Sequence, residues 1–419
     1  MRIQAPRGTE DVTPDLAPRW RHVEETFRAL ATRYGYGEIR TPTFEDTSLF
    51  VRGVGDTTDI VTKELYSFLD KGDRNISLKP EGTAGAVRAV LEHNLCPAGT
   101  VLRLSYVTPI FRYERPQKGR MREAHQVGLE VLGSASPVAD AEVMEVTSRF
   151  YAALGLTETV VVLNSLGRDA CRAAFRAKVL EHMAAYLADQ TEELKAKAQR
   201  NPLRLLDSKD PIAKEAMQGL PPITDYLEDD SRAHFERVQE LLTDAGIAYR
   251  LDPGVVRGLD YYTGTVFEVH STALGAKSEL CGGGRYDNLV KELGGSDTPA
   301  VGVGMGIERA LIVLEAAGLL PDAPRPEAFV IAAGTEAENG ALGLARDLRA
   351  AGLTALVDPS GRSLKSQLGQ ADKAKARLAL ILGLDEIEKG IVQVRVLDRS
   401  ERLDVVRADI VGKVKELTA

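Results

Sequence analysis

The sequence predicts an α+β domain built on an antiparallel sheet, interrupted by a helical insertion and followed by a small α/β domain. Its 419 residues are too many for one ordinary domain. Strand and helix patterns mix over residues 1–325, with a mostly helical insertion at about residues 168–246, whereas strands alternate with helices over residues 326–419. A proline-rich linker, containing Pro321 and Pro324, marks the change between the two parts. These observations place the domain boundary between residues 325 and 326.

The first predicted element is an amphipathic helix over residues 16–35. Its apolar side chains recur at spacings of three or four residues and therefore share one face: Leu16, Trp20, Val23, Phe27, Leu30 and Tyr34. Gly35 and Gly37 end the helix. A short strand over residues 38–41 follows and must end at Pro42, because proline is not tolerated in the middle of a sheet.

Two strands joined by a long tip come next. Residues 99–111 and 126–132 are rich in β-branched and aromatic side chains, and the segment between them is polar, basic and contains proline and glycine. This pattern predicts an antiparallel pair with a flexible tip. A helix over residues 139–154 and a strand over residues 160–163 follow.

The composition changes over the insertion, which is rich in alanine, lysine and glutamate and is therefore predicted to be helical. Strands return at residues 265–270 and 300–304. The last domain is predicted to contain strands and helices in alternation: strands at 329–332, 355–357, 378–382 and 391–396, and helices at 338–351, 363–376 and 408–417.

Composition limits the class of protein. Apolar residues make up 44% and charged residues 27%, as in a soluble globular protein, and the net charge of −8 is unlike that of a general nucleic-acid coat but allows a local basic site. We expect no secretory signal, because charged residues occur within the first ten positions and no apolar core follows them. We expect no membrane span either, because no apolar run is long enough to cross a bilayer. Three scattered cysteines predict a reducing cytoplasm, without disulfides or a zinc ribbon.

Two segments could bind phosphate groups. Residues 111–114 (Phe-Arg-Tyr-Glu) place Arg112 at a strand end, where its guanidinium can bind a phosphate bidentately, and further basic residues follow: Arg115, Lys118, Arg120 and Arg122. A solvated basic hairpin tip would give the same pattern. Residues 302–309 (Gly-Val-Gly-Met-Gly-Ile-Glu-Arg) are neither a dinucleotide fingerprint nor a Walker A motif, and a tight strand–helix turn would also explain the glycines. Arg309, however, lies at a helix start, which favours anions.

Three further segments are polar in an unusual way. Residues 257–264 place two tyrosines beside an arginine and an aspartate, which suggests a polar, aromatic wall, although a core strand end is the alternative. Residues 282–287 (Gly-Gly-Gly-Arg-Tyr-Asp) suggest a glycine turn leading into a helix. Residues 80–83 place Glu81 and Thr83 at the start of a helix over residues 83–92, where an acidic side chain is most often only a cap.

Taken together, these segments resemble the class II aminoacyl-tRNA synthetases and, among them, the histidyl-tRNA synthetase family. The helix, strand and Pro42 are similar to the first class motif, a dimer-interface element, and residues 111–126 and 302–309 are similar to the second and third. Residues 257–262 and 282–287 resemble the two histidyl-specific motifs, and residues 7–11 resemble the start of the family's sequences. The resemblance extends over essentially the whole chain and implies a class II catalytic domain followed by an anticodon-binding domain.

The resemblance implies that histidine reacts with ATP to give histidyl-adenylate and pyrophosphate, and that the histidyl group then passes to the 3′ end of tRNA(His). Arg112 would hold the α-phosphate and Arg257 would lie across from it, as the two catalytic residues. Arg309 would bind the γ-phosphate, and Glu114 and Arg120 would contact the nucleotide. Mg²⁺ is expected with the pyrophosphate, held mainly by phosphates and water and not by a set of protein ligands.

The resemblance also implies a histidine pocket. Three residues would face the amino group of the substrate: Glu81, Thr83 and Gln126. Glu130 would accept a hydrogen bond from one imidazole nitrogen and Tyr262 would meet the other, with Tyr261 nearby. Buried polar partners of this kind reject analogues that cannot pair with them, by about 10⁴ or more.

The same resemblance implies partners and a location. We expect a cytoplasmic homodimer that uses its C-terminal domain to bind the anticodon of tRNA(His). Arg362, Lys365 and Lys373 are candidates for phosphate contacts, although an ordinary solvated helix face is an equally good explanation of them. No role for the insertion follows from the residues, and the tRNA acceptor stem is one partner it could have.

Three alternatives remain at this point. The regulatory subunit of ATP phosphoribosyltransferase shares the synthetase fold without charging tRNA, but it is expected to lack intact histidyl motifs and the C-terminal domain. A prolyl or threonyl enzyme would share the three class motifs, but the histidyl motifs oppose it, as does the missing set of zinc ligands in the threonyl case. A non-enzymatic scaffold would require all five polar segments to be coincidental.

Overall fold

The structure is a computed structural model that describes residues 3–56, 58–117, 119–208, 210–256, 259, 261–271, 279–399 and 401–419. The chain forms two compact units, one ending at Pro321 and the other spanning Asp322–Ala419, so the division falls in the proline-rich linker. The predicted fold class is confirmed. The first unit has a large, mainly antiparallel sheet with a helical insertion, and the second has a smaller sheet covered by helices.

The first unit contains eleven described strands, which fall into two sheets. They are β1 (Gly37–Glu38), β2 (Phe44–Asp46), β3 (Ser67–Leu69), β4 (Asn75–Leu78), β5 (Leu102–Phe111), β6 (Glu123–Leu132), β7 (Thr159–Ser165), β8 (Tyr249–Leu251), β9 (Thr265–Ser271), β10 (Glu279–Arg285) and β11 (Ala300–Gly306). The large sheet has the order β1-β5-β6-β11-β10-β9-β7-β8. Its six inner strands pair antiparallel with one another, whereas the short edge strands β1 and β8 each pair parallel with their neighbour.

Helices of the first unit pack around this sheet. They are α1 (Ala17–Arg33), α2 (Thr47–Val54), α3 (Thr83–Glu92), α4 (Pro137–Ala153), α5 (Asp169–His182), α6 (Ala184–Ala188), α7 (Glu192–Arg200), α8 (Pro211–Ala216), α9 (Asp229–Asp244), α10 (Leu289–Glu292) and α11 (Ile307–Ala316). The insertion is helical as predicted: α5 to α9 occupy it, with short 3₁₀ turns at Pro202–Asp207 and Ile223–Tyr226.

The core lies between the large sheet and helices α1, α4 and α11. Val23 and Phe27, on the predicted apolar face of α1, are buried, and the Phe27 ring meets the edge of Phe150 on α4 at 5.7 Å between centroids. Tyr151, also on α4, is fully buried. This packing fixes the back of the sheet, so its opposite face and strand ends are available for a site.

The second unit is a five-stranded sheet with helices, in the order β13-β12-β14-β15-β16. Its strands are β12 (Ala328–Ala332), β13 (Ala355–Val357), β14 (Leu378–Leu382), β15 (Ile391–Val396) and β16 (Glu401–Val406), and its helices are α12 (Glu338–Ala350), α13 (Leu364–Lys373), α14 (Leu384–Glu388) and α15 (Ile410–Thr418). The first three strands pair parallel and the last two antiparallel. The predicted strands are confirmed, whereas β16 and α14 were not predicted: β16 is highly charged, and α14 is both short and highly charged.

Two predictions are corrected by the structure. The strand predicted at residues 38–41 is limited to Gly37–Glu38, and the glycine turn predicted at residues 282–287 is wrong. Gly282, Gly283 and Gly284 do not form a turn before a helix but lie inside strand β10, paired with β9 on one side and β11 on the other. Glycine is required there because the neighbouring backbones come very close. A Cβ on Gly283 would collide with the carbonyl oxygen of Gly302, and one on Gly284 would come within 2.7 Å of Thr265 O.

Two further features complete the description. A three-stranded antiparallel sheet, β2-β4-β3, was not predicted, and it precedes the segment that contains Glu81. Among the helices of the described ranges, none combines the length and the apolar character that a membrane crossing requires.

Candidate active site

A cavity of about 290 Å³ opens at the strands of the large sheet, and nine of the predicted site residues line it. These nine are Glu81, Thr83, Arg112, Glu114, Arg120, Gln126, Tyr261, Tyr262 and Arg309. Glu130 lies behind the cavity wall, and Arg257 lies outside the described residues. The fold thus brings together side chains that are far apart in the sequence, although their individual roles remain predictions.

Glu81 and Thr83 belong to the start of helix α3. The Glu81 carboxylate accepts hydrogen bonds of 2.7 Å from the backbone amides of Thr83 and Ala84, so it caps the helix, as acidic side chains in this position usually do. The carboxyl is buried, and this burial raises its pKa. Glu81 therefore has both a structural contact and a place in the cavity wall.

Glu130, on β6, is completely buried beneath the cavity and surrounded by hydroxyl groups. Its Oε1 accepts from Thr83 Oγ1 at 2.7 Å and from the Tyr106 hydroxyl at 3.0 Å, and its Oε2 accepts from the Tyr286 hydroxyl. Burial raises the pKa of Glu130 to about 8. Thr83 and Tyr286 both line the cavity and bond to Glu130, so the carboxyl lies directly behind this part of the wall.

Tyr106 and Tyr286 were not predicted as site residues. Tyr286 belongs to the Gly-Gly-Gly-Arg-Tyr-Asp segment, which was available as a signal, whereas nothing in the pattern of β5 distinguishes Tyr106 from a core tyrosine. The Tyr106 ring occupies space that only glycine leaves open, since a Cβ on Gly82 or Gly128 would collide with it.

Gln126 lies on β6, four residues before Glu130. Its Oε1 accepts a hydrogen bond of 3.1 Å from the backbone amide of Gly82, which ties β6 to the start of α3. A Cβ on Gly304 would collide with the Gln126 side chain. Gly304 of β11 is therefore explained by the side chain that crosses over it, and a strand–helix turn alone would not require it.

Arg112 and Arg309 stand at the end of β5 and near the start of α11. Arg112 Nε donates to Pro80 O at 2.8 Å, and Arg309 Nε donates to Glu279 O at 2.6 Å. A guanidinium has five N–H donors, so one bond to a carbonyl fixes its plane and leaves the terminal nitrogens as donors for a phosphate. Both side chains line the cavity.

The basic tip between β5 and β6 is partly occupied by internal contacts. Arg120 lies 3.8 Å from the Glu114 carboxylate, whose pKa burial raises, and Arg120 remains half exposed. The Arg122 guanidinium stacks over the Tyr113 ring, 4.1 Å from its centroid. Lys118, which was also assigned to this tip, lies outside the described residues. Arg120 is therefore better placed than Arg122 to meet a ligand.

A link between β6 and α11 was missed from the sequence. The backbone amide of His125 donates to both Glu308 oxygens at 2.9 and 3.0 Å, and its Nδ1 lies 3.0 Å from Glu308 Oε1. Burial lowers the pKa of His125, but the hydrogen bond to Glu308 and the negative charges of Glu308, Glu123 and Glu24 together outweigh it, so the pKa is raised. This contact fixes the residue next to Gln126 against the residue next to Arg309.

Tyr261 and Tyr262 form the aromatic wall that the sequence suggested. Both are buried, and the Tyr261 ring packs against Tyr262 and Tyr286, with centroids 4.7 and 5.5 Å away. Three other residues of the same segment, Arg257, Gly258 and Asp260, lie outside the described residues. Within the described ranges there is no group of three or more side chains suited to ligate a metal ion.

An antiparallel sheet with one arginine at the end of β5 and another at the start of α11, both on one cavity, defines a class II aminoacyl-tRNA synthetase. Within that class, comparison with known proteins gives the family. Residues 8–310 match the family model described as histidyl-tRNA synthetase, and residues 327–417 match the one described as anticodon binding domain. The chain belongs to the histidyl-tRNA synthetase family.

Individual relatives agree with this assignment over nearly the whole chain. A histidine–tRNA ligase from a Synechocystis strain is 48% identical over 99% of this chain and 93% of its own length. One from a Cyanothece strain is 47% identical over 98% of this chain and 96% of its own length. Among solved structures, the apo histidyl-tRNA synthetase of S. aureus superimposes with a TM-score of 0.83 at 34% identity, covering 99% of this chain and 100% of that one.

Proposed function

We propose that this protein is a histidine–tRNA ligase. It activates L-histidine with ATP, forming histidyl-adenylate and releasing pyrophosphate, and then transfers the histidyl group to the 3′ end of tRNA(His). The observation that supports this most is Glu130, a fully buried carboxyl held by three hydroxyl groups directly behind the cavity wall. A buried hydrogen-bonding group of this kind suits a substrate with a polar ring, and it would be costly beneath an apolar amino acid.

Histidine recognition divides between two parts of the cavity. Glu81, Thr83 and Gln126 receive the α-amino group, since a carboxylate, a hydroxyl and an amide oxygen are acceptors for an ammonium. Glu130 accepts from one imidazole nitrogen and Tyr262 meets the other, while the Tyr261 ring packs against the Tyr262 ring. A substrate N–H that reaches Glu130 favours its ionised form, which offsets part of the cost of burial.

In the ATP half, charge stabilisation and positioning provide the catalysis. The histidine carboxylate oxygen attacks the α-phosphorus, and the bond to the bridging oxygen of pyrophosphate breaks. Arg112 holds the α-phosphate oxygens as negative charge develops on them, and Arg257 is proposed as the second catalytic residue. Arg309 binds the γ-phosphate end, and Glu114 with Arg120 contacts the nucleotide. Arg112 and Arg309 each donate a hydrogen bond to a backbone carbonyl, and these bonds fix their guanidinium planes before ATP binds.

ATP would bring Mg²⁺ into this site. The cavity wall includes the carboxylates of Glu279 and Glu308 beside Arg309, and carboxylate oxygens are ligands that Mg²⁺ accepts directly or through water. These residues would assist an ion held mainly by the phosphates. When bound, the ion supplies positive charge for the departing pyrophosphate.

In this proposal, residues 1–325 form the catalytic domain and residues 326–419 form the domain that binds the tRNA anticodon. Arg362, Lys365 and Lys373 are exposed on or next to α13, where they can contact the phosphates of a splayed anticodon loop. We place the enzyme in the cytoplasm as part of the same proposal.

A homodimer is also part of the proposal, and the small sheet supports it. Phe44 and Phe68 are 55% and 48% exposed. Through the register of β4 with its two neighbours, both fall on the same face of this sheet, and Phe44 closely follows the first class motif in the sequence. An exposed aromatic pair of this kind is typical of an interface. Light scattering at micromolar concentration tests this: a single monomeric species would contradict it.

Aminoacylation tests the function itself. The protein is incubated with ATP, Mg²⁺, unfractionated tRNA and each radiolabelled amino acid in turn, and acid-precipitable label is counted. We expect label from histidine only, and only with tRNA that contains tRNA(His). Label from a different amino acid, or none with histidine, would contradict the proposal.

A further inference from the structure

The segment that contains Tyr262 is held on both sides by other elements. The amide of Leu166, at the entrance to the insertion, donates to Gly264 O at 2.7 Å, and the amide of Gly264 donates to Gly167 O at 3.1 Å. On the opposite side, the amide of Thr263 donates to Arg285 O at 2.7 Å, at the end of β10. The backbone after Tyr262 is therefore fixed between the start of the insertion and the strand that precedes Tyr286.

Tyr262 itself has a side-chain partner from the insertion. Arg172 lies on α5, the first helix of the insertion, and its Nη1 donates to the carbonyl oxygen of Tyr262 at 2.8 Å. Its Nη2 pairs with Asp169, one turn earlier on the same helix. The Arg172 side chain is 13% exposed, whereas that of Asp169 is 81% exposed. The arginine is thus oriented by a solvated carboxylate and directs its other nitrogen into the protein.

This bond acts at a position where a small displacement matters. The Tyr262 ring lines the cavity and packs against Tyr261, whereas Arg172 does not line the cavity. A charged donor on a carbonyl in a poorly solvated place is stronger than a neutral hydrogen bond. Loss of this bond would free the Tyr262 backbone to shift, and a shift of the ring by about 1 Å is enough to weaken a positioned contact severely.

We infer that the helical insertion takes part in histidine recognition, with Arg172 as a positioning residue that acts through the Tyr262 carbonyl. The inference rests on the proposed function, because it assigns Tyr262 to the histidine pocket. It gives the insertion a role inside the first, tRNA-independent step. Arg172 is expected to affect histidine and not ATP, since the arginines of the ATP half are fixed by other carbonyls, those of Pro80 and Glu279.

The test uses the full chain and the exchange of pyrophosphate into ATP without tRNA, with Michaelis constants measured separately for histidine and ATP. In Arg172→Gln we expect the KM for histidine to rise about 10-fold and the KM for ATP to change less than about 2-fold. Arg172→Lys keeps a charged donor and should recover part of the loss. Arg176→Gln is the matched control, because Arg176 is exposed on the same helix; it should leave both constants unchanged.

The outcomes separate the inference from the function on which it rests. An unchanged KM for histidine in both Arg172 variants, or equal rises for histidine and ATP, would overturn the inference while leaving the function intact. Wild-type protein without histidine-dependent exchange would instead overturn the proposed function. Circular dichroism and a thermal unfolding midpoint accompany each variant, and Arg172→Lys decides the question if Arg172→Gln does not fold.

Discussion

Gly302 of β11 lies directly opposite Glu130 of β6, and a Cβ on Gly302 would collide with the Glu130 carboxylate. It would also come within 2.6 Å of the carbonyl oxygen of Leu129. Because Gly302 has no side chain, it leaves the space that the buried Glu130 carboxyl occupies. A residue of the third class motif thus determines where a residue of the proposed histidine pocket lies.

A Gly302→Ala variant should displace Glu130 from its three hydroxyl partners. We expect histidine-dependent pyrophosphate exchange to fall about 100-fold, with most of the loss in the KM for histidine. Gly37→Ala is the control, because Gly37 is on β1 of the same sheet and its Cβ would meet only Arg103 O, at 3.8 Å. Similar losses in the two variants would show that any added methyl group disturbs the sheet, and would contradict the specific account.

Removal of the Glu130 carboxyl should affect the two substrates unequally. In Glu130→Ala we expect the KM for histidine to rise far more than the KM for ATP, because Glu130 meets only the imidazole in the proposed complex. Steady-state exchange at varied histidine and at varied ATP measures both. Comparable increases for the two substrates would remove Glu130 from the histidine pocket.

The buried carboxyl also predicts a pH dependence of stability. Burial raises the pKa of Glu130 from 4.5 to about 8 in the folded protein. Between these values the folded state keeps a proton that the unfolded state has released. The protonated Glu130 therefore stabilises the folded state relative to its ionised form. This contribution to the free energy of unfolding is complete below about pH 4.5 and is lost as the pH rises to about 8. Relative to Glu130→Gln, which cannot ionise, the wild type should lose up to about 1.4 kcal/mol per pH unit in this window.

Urea unfolding at several pH values between 5 and 8 measures that difference. Glu315→Gln, which removes an exposed carboxylate on α11, serves as the control and should follow the wild-type curve. A difference between wild type and Glu130→Gln that stays constant over the whole window would mean that Glu130 is ionised in the folded protein.

The two compact units predict that the two reaction steps can be separated. A chain ending at Pro321 keeps the whole large sheet and its own core. We expect it to retain histidine-dependent pyrophosphate exchange and to lose most charging of tRNA(His), because the proposed anticodon contacts are absent. Aminoacylation and exchange are measured on the same preparation. Full tRNA charging by the shortened chain would mean that the domain assignment is incorrect.

The sequence predicts elements well where a periodic pattern is local. The helix predicted at residues 83–92 has these bounds, and the helix predicted at 16–35 spans Ala17–Arg33. The prediction for Gly282–Gly284 fails because glycine, judged within one segment, indicates a turn. Here glycine is required because the backbones of β9 and β11 pack closely on either side. The short strands β2 and β3 were missed for a related reason, since pairing and not composition defines them.

The site shows the same limit. Residue types and resemblance nominate Glu81, Gln126 and Tyr262, but only the fold brings segments so far apart in the chain onto one cavity. The partners of these residues are harder to foresee. Tyr286 donates to Glu130, and Arg172 donates to the Tyr262 carbonyl, across gaps that no sequence spacing encodes. Hydrogen bonds between residues this far apart in the sequence can be identified only from the folded structure.

Pyrophosphate exchange into ATP, without tRNA and across all twenty amino acids, tests the central claim most directly. The account predicts exchange with histidine alone, which would establish both the adenylation chemistry and the substrate. Exchange with a different amino acid would keep the class of enzyme and contradict the pocket built around Glu130. No exchange from a folded protein that nevertheless binds histidine would contradict the enzymatic function and favour a regulatory relative of the synthetase.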